Sequence, residues 1–234
     1  MAKPLFEIVD AVATPIGLLE LRRRRLPTPV GIVVTEITIN DDMLMSSLTT
    51  VSERALTTNA LALHAGNEGL QVLVGGLGLG YTAHVALQDP RVAHVRVVDR
   101  LPVVIDWLRK GLFPLSEELN GDDRLEVCEG DVYAELLGPG RKAYDLVLID
   151  VDHSPSDPLD PASEPFYTWQ GQRQVVDHLA PGGVLAVWSS EDDHDFAAVL
   201  DEVYPEARRE RIRWVNELID DEEIEEVLFL AQRG

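Results

Sequence analysis

The stretch Leu70-Gln71-Val72-Leu73-Val74-Gly75-Gly76-Leu77-Gly78-Leu79-Gly80 constrains this chain more than any other. An apolar run of strand length breaks into four glycines within six residues, and a helix-forming segment, residues 81–88, follows at once. Strand, glycine turn and helix, in that order, are how an open α/β sheet presents a nucleotide-like ligand. Glycines let the chain turn tightly and let a ligand approach the backbone. The helix start offers unpaired N–H groups to an electronegative ligand atom. Taken alone, the run also fits a simple tight turn. Asp99 narrows the reading. It follows the next predicted strand, residues 92–98, about twenty residues on, where a carboxylate accepts from both ribose hydroxyls. Together the two features point to a ribose-bearing cofactor.

From residue 70 strands and helices alternate. Strands are predicted over 124–128, 144–149, 184–188, 209–214 and 227–230, and helices over 102–112, 132–137, 166–179 and 193–203. Such alternation demands a parallel sheet covered on both faces, and right-handed crossovers make it doubly wound. The fold expected is therefore α/β, with a mostly parallel, seven-stranded Rossmann-like sheet. A proline-rich loop, residues 154–165, is long enough to suggest function. The acidic run Asp220 to Glu226 reads as a solvated turn.

The first 65 residues differ. Short strands are predicted at 5–12, 17–21 and 31–39, a turn at Asn40-Asp41-Asp42, and a helix at 52–64. This gives a small N-terminal β extension with a linking helix (1–65) ahead of a cofactor-binding domain (66–234). Arg22-Arg23-Arg24-Arg25 is the one basic cluster, readable as an anion site, a solvated strand end or a subunit contact. The N-terminal strands suggest a homodimer.

Acidic residues outnumber Lys and Arg by 41 to 20, a formal charge of −21, which argues against nucleic acid and anionic membranes as partners. A single cysteine, Cys128, excludes an intrachain disulfide and a multi-cysteine metal site. The start, Met1-Ala2-Lys3-Pro4, opens no long apolar region, and no run approaches the length of a membrane helix. A cytoplasmic location is the expectation.

In an open α/β sheet the ligand lies beyond the carboxyl ends of the strands. The glycine turn, Asp99, Asp131 and the Asp150 segment all fall there. Asp131 can accept from an exocyclic base amine or cap the helix that follows. Asp150 and Asp152 can serve a cationic amine, a metal ion or proton transfer, or cap their own loop. His153 is readable as a base or as polar surface.

Four motifs carry a resemblance: Gly75-Gly76-Leu77-Gly78-Leu79-Gly80, Val97-Val98-Asp99, Glu129-Gly130-Asp131 and Tyr144-Asp145-Leu146-Val147-Leu148-Ile149-Asp150. Their order resembles class I S-adenosylmethionine-dependent methyltransferase folds, and more closely the spermidine synthase family. That likeness extends to Thr14-Pro15-Ile16-Gly17, to the segment from Met45 to Leu63 and to Phe166-Tyr167. It implies S-adenosylmethionine or its decarboxylated form as cofactor. By the resemblance Gly75, Gly76, Gly78 and Gly80 pass under the methionine portion, Asp99 holds the ribose and Asp131 the adenine amine, with Arg100 and Val132 as further cofactor-binding candidates. Asp150 meets the incoming amine, with Asp152 and His153 as further catalytic candidates, and Tyr167 lines the amine site.

Departures from the family are as informative. Its glycine motif usually carries a central aspartate, where this chain has Gly78 and Leu79. Met45 stands near the family's glutamine, and Ser52-Glu53-Arg54 near its Tyr-His-Glu. Asp-Ser-Ser-Asp-Pro becomes Asp150-Val151-Asp152-His153-Ser154-Pro155. A neutral glycine turn suits the carboxylate of ordinary S-adenosylmethionine better than an aspartate would. The expectation is a methyltransferase acting on a small, cationic acceptor. The alternatives are polyamine aminopropyl transfer and a non-catalytic binding homologue. Ile149-Asp150-Val151-Asp152-His153 also has a superficial likeness to metal-dependent catechol-type methyltransferases. Their further Asp-Asn pair is replaced here by Ser189-Ser190-Glu191-Asp192, so no metal is expected.

Overall fold

A computed structural model describes residues 6–26, 31–140, 143–215 and 223–234. Strands β1 (Phe6–Thr14), β2 (Gly17–Arg25), β3 (Val33–Ile39) and β4 (Asp42–Ser46) form an antiparallel sheet in that order. Leu5, Met1-Ala2-Lys3-Pro4 and residues 220–222 of the acidic run lie outside the described residues. β4 was not predicted. Asn40 and Asp41 both take positive φ, 48° and 73°, the two-residue hairpin geometry that returns the chain as a strand. The four arginines are engaged within the chain. Arg22 pairs with Glu20 and Asp41, and Arg24 with Glu36 at 2.6 Å. Arg23 donates to the Leu112 carbonyl and Arg25 to the Gly31 carbonyl, each at 2.9 Å.

Helix α1 (Val51–Leu63) leads into the large sheet. Its strands are β5 (Leu70–Gly75), β6 (Val92–Asp99), β7 (Leu125–Glu129), β8 (Tyr144–Ile149), β9 (Leu179–Ser189), β10 (Glu206–Val215) and β11 (Glu223–Gln232). They lie in the order β10-β11-β9-β8-β5-β6-β7. The five strands from β9 to β7 in that order run parallel, and β11 is antiparallel to both β9 and β10. The predicted α/β architecture, a seven-stranded, mostly parallel sheet with a small N-terminal β unit, is borne out.

Two hydrophobic cores flank this sheet because successive strand residues face opposite ways. Val72, Val74, Leu146 and Leu148 join one core with α1, α2 (Tyr81–Gln88) and α3 (Pro102–Arg109). Between α3 and β7 a short helix, α4 (Ser116–Asn120), adds Leu119 to it. Leu73, Val147 and Ile149 join the other core with α5 (Val132–Leu136), α6 (Trp169–Val176) and α7 (His194–Val203). Leu73 and Val147 are fully buried. At about 1.5–3 kcal/mol per buried side chain, two-sided burial makes β5 and β8 the rigid centre of the molecule.

Three predicted elements differ. The helix expected at 166–179 is split. Residues Pro161–Tyr167 form a 3₁₀ helix containing Pro165, and α6 starts afresh at Trp169, where the Thr168 hydroxyl accepts from Gly171 N. β9 begins at Leu179, so Ala180 to Gly183 belong to the strand. The acidic run is no turn from Glu223 onward, because Glu223 to Glu226 open β11. Among the described residues no helix is long and apolar enough to cross a membrane.

Candidate active site

A cavity of about 490 Å³ opens over the carboxyl ends of the parallel strands, a size suited to a small ligand. β4, α1 and the β10–β11 hairpin close its other side with Met45, Glu53, Trp214 and Glu226.

Asp99 and Asp131 stand at one end. Asp99 closes β6 with both oxygens engaged: Oδ2 accepts from Leu77 N at 2.7 Å and Oδ1 from Leu101 N at 2.8 Å. These bonds tie the glycine turn to β6 and fix the carboxylate at the cavity wall. Desolvation pushes its pKa up, against the pull of the two N–H groups. Asp131 caps α5, with Oδ1 accepting from Tyr133 N and Ala134 N at 2.9 and 3.2 Å. Oδ2 lies 3.9 Å from Arg100 Nη1, which itself pairs with Asp160 at 2.7 Å. Gly76, Gly78, Arg100 and Val132 also line the cavity. Gly75 and Gly80 do not, and their lack of a side chain serves packing. A Cβ on Gly75 would meet Val132 Cγ1 at 2.9 Å, and one on Gly80 would strike Leu119.

The opposite end is acidic and aromatic. Asp150 follows β8, and its Oδ2 accepts from the Thr82 hydroxyl at 2.9 Å. Burial pushes its pKa up to about 6; the Thr82 bond opposes this and nearby Glu226 adds to it. Glu53, on α1, is driven up to about 8 by desolvation and then by the charge of Asp150. Glu226, on β11, is likewise raised by desolvation, against hydrogen bonds from Ser52 and Trp188. Trp188 Nε1 donates to Glu226 Oε2 at 2.9 Å, and Trp214 completes the wall. Three carboxylates thus face one another.

The other candidates have different settings. Asp152 lines the cavity but is 3% exposed, and its oxygens accept from Tyr133 and Tyr167 hydroxyls and from Leu159 N at 2.7, 2.8 and 2.8 Å. It pins the loop after β8 to the aromatic core. Tyr167 sits behind it, 3.1 Å from the Tyr133 hydroxyl and edge-on to Phe166 and Phe196. His153 is exposed on the cavity rim. Glu191 accepts from Ser154 and Ser156, and Asp192 pairs with Arg209 and Arg211. Glu53, Trp188, Trp214 and Glu226 were not among the sequence candidates. Only Glu53 carried a signal, its place near the family's Tyr-His-Glu.

No protein-family model matches the chain. Putrescine N-methyltransferase 2 of Nicotiana tabacum is 31% identical over 119 residues, 49% of this chain and 31% of that protein. Polyamine aminopropyltransferase 2 of Pseudomonas aeruginosa is 32% identical over 146 residues, 59% of this chain and 40% of that protein. The chain therefore matches well under half the length of these curated relatives. The spermidine synthase structure from Thermotoga maritima superposes with a TM-score of 0.71 at 17% identity, covering 97% of this chain and 72% of the other. The chain is similar in sequence to polyamine-handling transferases over part of its length, and in fold to a spermidine synthase. The likeness read from four short motifs thus holds in sequence over about half the chain and in fold over nearly all of it.

Proposed function

We propose that this protein transfers a methyl group from S-adenosylmethionine to a small cationic amine. The observation that carries this reading is the meeting of Asp150, Glu53 and Glu226 at one end of a cavity whose other end presents Asp99 and Asp131. Three desolvated carboxylates repel one another, and a cation relieves that cost.

The cofactor end fits an adenosyl group. Gly76 has φ +88°, and a Cβ there would meet the Asp150 carbonyl at 2.5 Å, so glycine keeps the turn open where a ligand must approach. Each Asp99 oxygen retains a lone pair for a ribose hydroxyl, and Asp131 Oδ2 is free of the helix cap for an amine of the base. When bound, S-adenosylmethionine supplies an electrophilic methyl group. The chain's task is then to align an acceptor and remove a proton. Asp150 is placed for both. It holds the ammonium, and a carboxylate with a pKa of about 6 takes up a proton near neutrality better than an ordinary aspartate does.

Methyl transfer is favoured over aminopropyl transfer by the neutral glycine turn. Gly78 and Leu79 carry no acid, and the Met45 thioether lies against Leu79 N at 2.7 Å. The tobacco relative, by its name, methylates putrescine. Aminopropyl transfer from decarboxylated S-adenosylmethionine is the second reading, favoured by the match to the Pseudomonas aminopropyltransferase. Calorimetric titration with S-adenosylmethionine, its decarboxylated form and methylthioadenosine separates the two. Preference for the first supports methyl transfer and preference for the second supports aminopropyl transfer. Binding of none sinks both.

A further inference from the structure

Leu79 N, in the glycine turn, donates to the Met45 thioether at 2.7 Å. Its neighbours have firmer partners. Gly76 N donates to the Val98 carbonyl at 3.0 Å, Leu77 N to Asp99 at 2.7 Å and Gly80 N to the Leu77 carbonyl at 2.8 Å. A thioether is a weak acceptor, and methionine is a flexible side chain. Met45 stands on β4, an edge strand paired with β3 alone, beside the bulge between Ile37 and Thr38. A bulge re-aims the side chains around it. Met45 Sδ and Cε cover Gly78, where an added Cβ would strike both. Met45 and Gly78 are half-buried and line the cavity, whereas Leu79 is fully buried. The thioether is thus a loosely held cover over one position of the turn.

The chemistry of a sulfonium says what that cover meets. A sulfonium carries three substituents. On the cofactor reading the adenosyl group leads to Asp99 and the methyl group to Asp150. Gly76 lies between the two: its N–H bonds to β6 just before Asp99, and a Cβ on it would meet the Asp150 carbonyl at 2.5 Å. The sulfonium therefore sits over Gly76. The third substituent, the amino-acid arm, leaves past the next cavity-lining position of the turn, Gly78, and Met45 stands in its path.

We propose that Met45 is a displaceable stopper whose place over Gly78 is taken by the amino-acid arm of the cofactor; the inference rests on the S-adenosylmethionine reading above. Thioether and arm cannot both cover Gly78. When Met45 swings away, the carboxylate of the arm replaces a weak, neutral acceptor at Leu79 N with a charged one, a hydrogen bond about twice as strong as a neutral one. The decarboxylated form ends in an ammonium, which has no lone pair for that donor, so displacing Met45 would strand Leu79 N. A nucleoside without the arm leaves Met45 seated. Met45 makes the site read the amino-acid end of its ligand as well as the adenosyl end.

The test compares S-adenosylhomocysteine, which has the arm, with methylthioadenosine, which lacks it. The ratio of their Kd values, measured by calorimetry, reports the worth of the arm and is insensitive to a change that weakens both ligands alike. In Met45→Ala the arm has no stopper to displace, so its advantage over methylthioadenosine should grow by about 3–10-fold, the weight of one hydrogen bond. An advantage that is unchanged or smaller overturns the inference. A second readout uses the wild-type protein: the Met45 ε-methyl NMR signal should move on adding S-adenosylhomocysteine and stay near its free position with methylthioadenosine. The signal is assigned by its loss in Met45→Ala or, if that variant does not fold, in Met45→Leu. Equal movement with both ligands also overturns the stopper and leaves the cofactor reading standing. Binding of neither ligand overturns the cofactor reading itself.

Discussion

Tyr167 donates its hydroxyl to Asp152 Oδ2 at 2.8 Å, the same oxygen that takes the Tyr133 hydroxyl at 2.7 Å. Burial holds both phenols well above their ordinary pKa, so they stay neutral donors. Asp152 is therefore an anchor. Asp152→Asn should cost about 1–3 kcal/mol of stability, because its amide nitrogen must face either the two tyrosine hydroxyls at Oδ2 or Leu159 N at Oδ1, and the donors it faces lose their acceptor. Urea denaturation reads this directly, and an unchanged midpoint would show that the loop does not depend on it.

Asp150→Asn should behave in the opposite way. Its carboxylate has one hydrogen-bond donor, Thr82, and sits among like charges, so stability should hold or rise. Turnover should fall by about 10²–10⁴-fold, the weight of a positioned acid–base group. Cofactor affinity, measured by calorimetry, should change by no more than about a factor of a few, since cofactor contacts are assigned to other residues. A near-wild-type rate places the proton acceptor elsewhere.

Asp99 ties the glycine turn to β6 and, under the proposed function, also holds the ribose. Asp99→Ala should weaken S-adenosylmethionine binding by about 1–3 kcal/mol through the lost ribose acceptor. It should also lower stability by a similar amount, about 1–3 kcal/mol, because Leu77 N and Leu101 N lose their partner. Thermal denaturation with and without cofactor separates the two effects. Unchanged affinity in a folded variant removes the ribose role.

Glu53 and Asp150 set a pH dependence. Their folded pKa values, about 8 and about 6, lie above the ordinary 4.5 and 3.8, so the folded state binds the extra protons. Their contribution to stability is complete below pH 4 and is lost as pH rises through 6 and then 8. Tm of the free protein should fall from pH 5 to pH 8, and saturating 1,4-diaminobutane should flatten the decline. Amine binding at pH 7 should release protons, chiefly from Glu53, detectable by calorimetry in buffers of different ionisation enthalpy. Zero release means that the carboxylates do not meet the amine.

Two glycines of the turn should differ under substitution. In Gly76→Ala the new Cβ meets the backbone carbonyl of Asp150 at 2.5 Å, which cannot give way without moving β8. In Gly78→Ala it meets Met45 Sδ and Cε, the end of a flexible side chain. Gly76→Ala should therefore cost several-fold more in stability and in S-adenosylmethionine affinity than Gly78→Ala. Equal losses would mean that backbone strain at positive φ, shared by both positions, outweighs the clash.

The sequence made the inner sheet legible because β5 and β8 are apolar on both faces and end in punctuated turns. It also brought Asp99, Asp131 and Asp150 to attention as strand-end acids, and the structure gathers all three at one cavity. The acidic and aromatic wall was not legible. Glu226 sits in a run of acids that composition alone reads as solvent-facing. Only the pairing of β11 with β9 turns that side chain inward to Trp188. Asp152 looked like the twin of Asp150, and what separates them is a pair of tyrosines, 19 residues before it and 15 after it. Local pattern carries no information about such partners.

β10 is an edge strand, hydrogen-bonded to β11 alone, and β11 is its one link to the rest of the sheet. The Asp99 end of the cavity rests instead on β5 and β6, each held by a neighbour on both sides. Under the proposed function, the β10–β11 pair can change, and with it the choice of acceptor, while the cofactor end on β5 and β6 stays in place. On that reading, swapping residues 206–232 between relatives should trade one amine acceptor for another on this scaffold.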